Sequence, residues 1–138
     1  MKLSILILGL LTSLSALAES NADWLKLHNP MGYFPDKAEY VSYSDLCNAN
    51  VCFDVVAVSY VTETNKGMRR VAVFSATGEY LGVYSGFQEM PEKVVGSSLL
   101  FPESEYGNII SFGEGKPPAT VYIDGEIFDF ESDFESKP

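Results

Sequence analysis

Any chemistry in this sequence falls to a short set of side chains: two cysteines, one histidine and nineteen aspartates and glutamates. Cys47 and Cys52 are separated by Asn48-Ala49-Asn50-Val51. That spacing suits two facing positions of a hairpin, where Cα atoms come close enough to bridge. A thiol oxidoreductase would show C-x-x-C opening a helix in a βαβ setting, and a structural zinc would need four ligands. The chain has neither pattern, so no metal and no cofactor is expected. The pair is read as a structural disulfide that pins a loop.

His28 stands alone in Leu27-His28-Asn29-Pro30. A nucleophile–histidine site would have to use it, yet there is no Gly-x-Ser-x-Gly elbow and the cysteines are assigned to each other. His28 is therefore read as a surface or packing residue, and no catalytic residue is assigned. The acids leave one enzymatic option, a cell-envelope hydrolase, since glycoside cleavage needs two carboxyl groups, one with its pKa lifted by apolar surroundings. Asp54 is the candidate because it interrupts the apolar run Val51 to Val61. Buried, it would need a partner such as Arg69 or Arg70; the simpler placement has it facing solvent near the strand end. Glu103-Ser104-Glu105 and the pair Asp124 and Glu126 offer oxygen ligands without the spacing of a twelve-residue calcium loop. Gly113-Glu114-Gly115-Lys116 runs into Pro117-Pro118, not into a helix, so it does not read as a phosphate loop.

Recognition is what remains, and tyrosine suits it by joining a large apolar ring to a polar tip. Tyr80, Tyr84, Ser85 and Phe87 are the candidate binding residues. Strict alternation puts Tyr80, Gly82 and Tyr84 on one face, and Tyr84-Ser85-Gly86-Phe87 runs from a strand into a loop, where binding groups concentrate. The competing placement fills the interior with these rings.

The elements that must position these groups read as strand, turn, strand from residue 38 onward. Val51 to Thr62 is β-branched and apolar at both alternating positions, as a central strand covered on both faces requires. Turns at Asn65-Lys66-Gly67 and Thr77-Gly78 lead to strands over Arg70 to Ser75 and Glu79 to Ser85, with Gly82 marking a bulge or bend. Shorter strands follow at Lys93-Val94-Val95, Ser98 to Phe101 and Asn108 to Phe112. Asp124-Gly125 supplies the two positive-φ residues of a type I′ turn between Thr120–Ile123 and Glu126–Phe130. Helical signals are confined to Asp23 to Leu27 and a turn at Glu89-Met90-Pro91-Glu92. The expected fold is all-β: an antiparallel meander closed into a small barrel or folded as a sandwich, with closure favoured because it hides sheet edges.

Residues 1–18 have the layout of a secretory signal peptide: Lys2, an apolar run from Leu3 to Leu11, and Ala16-Leu17-Ala18 before Glu19. The run is shorter than the roughly 20 residues a membrane-spanning helix needs. The expected organisation is a cleaved leader (1–18), an extended or short helical segment (19–37), a β domain (38–130) and an acidic tail (131–138) frayed after Phe130. Removing the leader takes one lysine and no acid, so the formal charge moves from −10 over 138 residues to −11 over 120, with every aromatic retained. The leader and the disulfide point to an exported protein, periplasmic or extracellular, of bacterial type. So acidic a chain does not suit nucleic acid or anionic lipid, and the mature part carries no further span for membrane insertion. The expected function is binding of a cationic partner: a basic protein, a peptide or a cationic ligand, an inhibitor of a basic secreted enzyme being one concrete form. The hydrolase and a structural module of an envelope assembly are the alternatives.

Overall fold

The structure, a computed structural model, describes residues 20–102 and 108–132. The leader, Glu103-Ser104-Glu105 and the second half of the acidic repeat lie outside the described residues. The fold is all-β, and among the described residues it carries one two-turn helix and a short 3-10 turn. Nine strands run in order: β1 (Glu39–Asn48), β2 (Val51–Val61), β3 (Gly67–Ser75), β4 (Tyr80–Ser85), β5 (Lys93–Val95), β6 (Ser98–Leu100), β7 (Ile109–Ser111), β8 (Thr120–Ile123) and β9 (Glu126–Asp129). All pairs are antiparallel, and they form three sheets ordered β1-β2-β3-β4, β5-β6-β7 and β8-β9.

The sheets follow one another around a single interior. β5 packs beside β1, β9 beside β4, and β7 beside β8, so the strands trace a closed circuit. No ladder joins the three sheets among the described residues, and each junction is a seam held in a different way. The first seam is tied by the Tyr43 hydroxyl donating to the Pro91 carbonyl at 2.7 Å. The second is tied by two backbone bonds between Val83 and Glu131, both 2.8 Å. At the third, Asn108 clasps Asp124: its Nδ2 donates to Asp124 Oδ1 at 2.7 Å and its Oδ1 accepts from the Asp124 amide at 3.1 Å. The three antiparallel sheets thus form one circuit of strands, interrupted at three seams.

β2 is covered on both faces, as its unbroken apolar run requires. Val55 and Ala57 face the interior with Val71, Val73, Tyr84, Leu99, Ile110 and Phe112. Val56 and Val58 face outward, beneath α1 (Asn21–His28), Leu25 and Phe34. The helix starts at Ser20, whose hydroxyl accepts from the Asp23 amide at 3.1 Å, and ends at Asn29 in the left-handed region before Pro30. It is longer than the single turn at Asp23 to Leu27 suggests.

Three local expectations are corrected. Glu89 to Glu92 form no helical turn; the Pro91 carbonyl is engaged by Tyr43 and the Glu92 amide by Leu100, which keeps the chain extended. The chain is not frayed directly after Phe130, because Glu131 bridges to Val83. Tyr80 and Tyr84 do not share a face. The β3–β4 register steps from Val73↔Gly82 to Phe74↔Tyr80, leaving Leu81 as an extra residue. A bulge reverses the in–out alternation, so Tyr80 joins the layer under α1 and Tyr84 the interior.

Candidate functional site

The third seam carries a surface groove. It has a volume of about 550 Å³ and is walled by Ile109 and Ser111 on β7, Thr120, Val121 and Tyr122 on β8, and Glu114, Lys116, Pro118 and Ala119 of the loop between them. That volume lies in the range of ligand-binding clefts. Period-2 alternation creates the groove's face: Ile110, Val121 and Ile123 are buried inward, so Ile109, Ser111, Thr120 and Tyr122 turn out. Tyr122 is 66 % exposed, and Ile127, its cross-strand partner on β9, is 60 % exposed. These are large apolar groups left in water beside one another, a surface that suits a partner.

The groove's loop wall is held from three directions. From the interior, the fully buried Tyr84 donates its hydroxyl to the Pro118 carbonyl at 2.6 Å. From the side, Asn48 Nδ2 donates to the Gly113 carbonyl, and the Val51 side chain lies against Gly115. From within the loop, the Gly115 amide returns to the Phe112 carbonyl at 3.0 Å. Asn48 and Val51 flank the turn that the disulfide closes. Cys47 and Cys52 are directly paired on β1 and β2 with Cα atoms 4.0 Å apart, the close spacing of a pair that exchanges no backbone bonds. The disulfide therefore braces the hairpin end against which the groove loop rests.

On the far side of the Asn108–Asp124 clasp lies a second hollow of about 320 Å³, containing Glu89, Asp124 and Glu126. All three carboxylates are exposed, and they make this end of the seam electronegative. Asp124 and Gly125, with φ of 55° and 80°, form the type I′ turn that sets two of these acids at the hairpin tip.

The candidate binding residues chosen from sequence are placed elsewhere. Tyr80, Tyr84 and Phe87 are 3 %, 0 % and 3 % exposed. Phe87 packs between Phe101 and Phe128, with centroids 4.9 and 4.5 Å away, and Tyr84 reaches the groove only from beneath. Burial raises the Tyr84 phenol well above its usual range. Ser85 is half-buried and accepts from Arg70 Nη1 at 2.6 Å. Arg70 is 8 % exposed, with the Tyr33 ring 3.5 Å from its guanidinium carbon and Tyr60 accepting from Nε and Nη2. This cation is satisfied by hydroxyls and a ring face, and it fastens the Tyr33 segment onto the sheet.

Asp54 is half-buried and accepts from the Asp45 amide at 3.0 Å, at the β1 bulge and not from Arg69 or Arg70. His28 is exposed and stacks on Trp24 at 4.5 Å. No group of three His, Cys, Asp or Glu is disposed to hold a metal among the described residues. What sequence reasoning passed over is Ile109, Ser111, Thr120 and Tyr122. For Thr120 and Tyr122 the signal was the alternation of the β8–β9 hairpin, whose outward positions carry a ring and an isoleucine where charge would be ordinary. Comparison of the chain with family models, with curated proteins and with solved structures returns no match.

Proposed function

We infer that this is an acidic exported binding protein that takes a basic partner protein on the β7–β8 seam. The observation that carries the reading is the juxtaposition of a groove of mixed polar and apolar lining, edged by Ile109 and Tyr122, with a hollow holding Glu89, Asp124 and Glu126. The first offers area to an apolar or extended segment; the second offers charge to a lysine or arginine beside it. A formal charge of −10 steers such partners toward the protein before contact. Export is supported by the leader-like first 18 residues and by the disulfide. Among the described residues no helix is long and apolar enough to cross a membrane. A basic secreted enzyme held in check is one form of partner; a basic neighbour in an envelope assembly is another.

A hydrolase reading asks for a carboxyl group enclosed in apolar surroundings. Among the described residues no Asp or Glu is buried, so this reading has less support than binding.

The test is calorimetric titration of the purified protein with a panel of basic secreted enzymes across ionic strength. Expected is association that weakens as salt rises, and that falls at least tenfold in the double variant Glu89→Lys/Glu126→Lys, whose thermal midpoint stays unchanged. Absence of association with every basic protein, or association indifferent to both salt and the double variant, would overturn the reading.

A further inference from the structure

The ladder geometry around the groove says how a segment can be held there. In β8–β9, the two-residue turn makes Ile123 and Glu126 a hydrogen-bonded pair, and pairs then alternate. Val121 with Phe128 is the next bonded pair, and the Phe130 amide donating to the Ala119 carbonyl at 2.9 Å continues the series. Thr120 and Tyr122 are therefore the stations whose N–H and C=O point away from β9, toward the groove. The same reasoning applies to β7. The Phe112 amide donates to Ser97 and the Phe101 amide to Asn108, both at 2.9 Å. Bonded pairs thus fall at Asn108, Ile110 and Phe112, and the outward stations are Ile109 and Ser111.

Of the five strand residues that line the groove, Ile109, Ser111, Thr120 and Tyr122 turn their backbone groups away from the ladders of their own sheets, while Val121 is paired to Phe128. The Asn108–Asp124 clasp pinches the seam at one end, while the loop wall Glu114–Ala119 leaves room at the other. Extended polypeptide matches such an edge, because its own N–H and C=O groups recur at the same spacing. The acidic hollow lies across the clasp from Tyr122, so a lysine or arginine side chain that follows such a segment enters it by passing over the Asn108–Asp124 contact.

We propose that the basic partner is bound by strand addition: an extended segment pairs with the β8 edge at Thr120 and Tyr122, and a lysine or arginine following it enters the Glu89–Asp124–Glu126 hollow. This rests on the binding function inferred above and adds its mode. Main-chain bonds supply affinity that is tolerant of sequence, apolar side chains lie on Ile109 and Tyr122, and the hollow selects for positive charge.

The mode is tested with an end-capped peptide of alternating lysine and valine, in three forms: unmodified, N-methylated at the lysines, and N-methylated at the valines. Only alternate amides of an added strand face its neighbour. One methylated form should lose binding at least tenfold, and the other should bind like the parent. Thr120→Pro should weaken binding similarly while leaving the thermal midpoint within a few degrees, because the Thr120 amide is not part of the β8–β9 ladder. If Thr120→Pro fails to fold, the methylated pair decides alone. Equal binding by all three peptides overturns strand addition, as does failure of the peptide to bind while basic proteins still do. Failure of the peptide and of every basic protein overturns the binding function itself.

Discussion

Substituting Gly82 by alanine places a Cβ 2.5 Å from the Glu131 carbonyl oxygen and 2.5 Å from Phe130 Cζ. Neither neighbour can move without loss. Glu131 is fixed to Val83 by two backbone bonds, and the Phe130 ring packs on Tyr84 with centroids 4.9 Å apart. Relief requires the segment after β9 to leave the β4 edge, which forfeits two hydrogen bonds of about 1 kcal/mol each and an aromatic contact of about 1 kcal/mol. The reduced entropy of the unfolded alanine chain returns roughly 0.5–1 kcal/mol, so the net destabilisation should be about 2 kcal/mol. Urea denaturation of wild type and Gly82→Ala measures it, and amide exchange locates it: Val83 and Glu131 should lose protection while the β2 amides keep theirs. Gly96→Ala is the control, since a Cβ there meets nothing within 4 Å although φ is +60°; its cost is backbone strain alone. A Gly82→Ala variant within 0.5 kcal/mol of wild type, with Glu131 still protected, would refute the argument that the second seam depends on a missing side chain.

Two further outcomes follow from the same packing. Replacing both cysteines by serine opens a cross-link that closes a short loop, which should cost about 2 kcal/mol in urea titrations; amide exchange at Gly113 and Gly115 should quicken in parallel, because Asn48 and Val51 brace that loop. Alkaline pH should destabilise through the tyrosines. Burial raises Tyr84 above the unfolded value near 10, and burial with Asp36 nearby pushes Tyr40 up to about 12. Below pH 10 both phenols are protonated in either state and stability is flat. Above it the unfolded chain releases protons that the folded chain retains, so stability falls by about 1.4 kcal/mol per pH unit for Tyr84. Phenolate absorbance of the Tyr84→Phe variant, with denaturation curves from pH 8 to 11, checks the sign; a loss of stability identical in the variant would be the contrary result.

Strands were legible wherever residue type and alternation agreed. Lys93–Val95 and Thr120–Ile123 coincide with the expected segments, the unbroken run of β2 signalled a strand covered on both faces, and Asp124-Gly125 specified its own turn. The disulfide followed from an even cysteine pair behind a leader-like start, at a spacing that suits facing hairpin positions. The face of β4 was not legible, because one extra residue at Leu81 reverses alternation and a bulge leaves no compositional mark beyond Gly82. Long-range facts were invisible for a similar reason. Asn108 clasping Asp124, Tyr43 reaching Pro91 and Glu131 bridging Val83 join residues apart in sequence through one or two bonds each, without any local pattern.

The burial of Tyr80, Tyr84 and Phe87 was illegible for the same reason, and it carries a physical lesson about tyrosine. A ring with a hydroxyl suits an interface, yet it also suits an interior that must reach a distant carbonyl, and composition does not separate the two uses. Tyr84 takes the second: its ring fills the space between the layers and its hydroxyl holds Pro118, one residue of the groove wall. The aromatic that meets solvent is Tyr122, identifiable because both of its neighbours, Val121 and Ile123, are buried. In a strand that contrast fixes direction, whereas in Tyr84-Ser85-Gly86-Phe87 the bulge and the strand end remove it. A groove that must hold a partner without collapsing needs a rigid wall, and here rigidity comes from residues that never touch the solvent side. Tyr84, Asn48 and the hairpin braced by Cys47–Cys52 each restrain the same seven-residue loop from Gly113 to Ala119. Binding at this seam should therefore respond to Tyr84 and to the disulfide through the loop's position, even though neither would contact the partner.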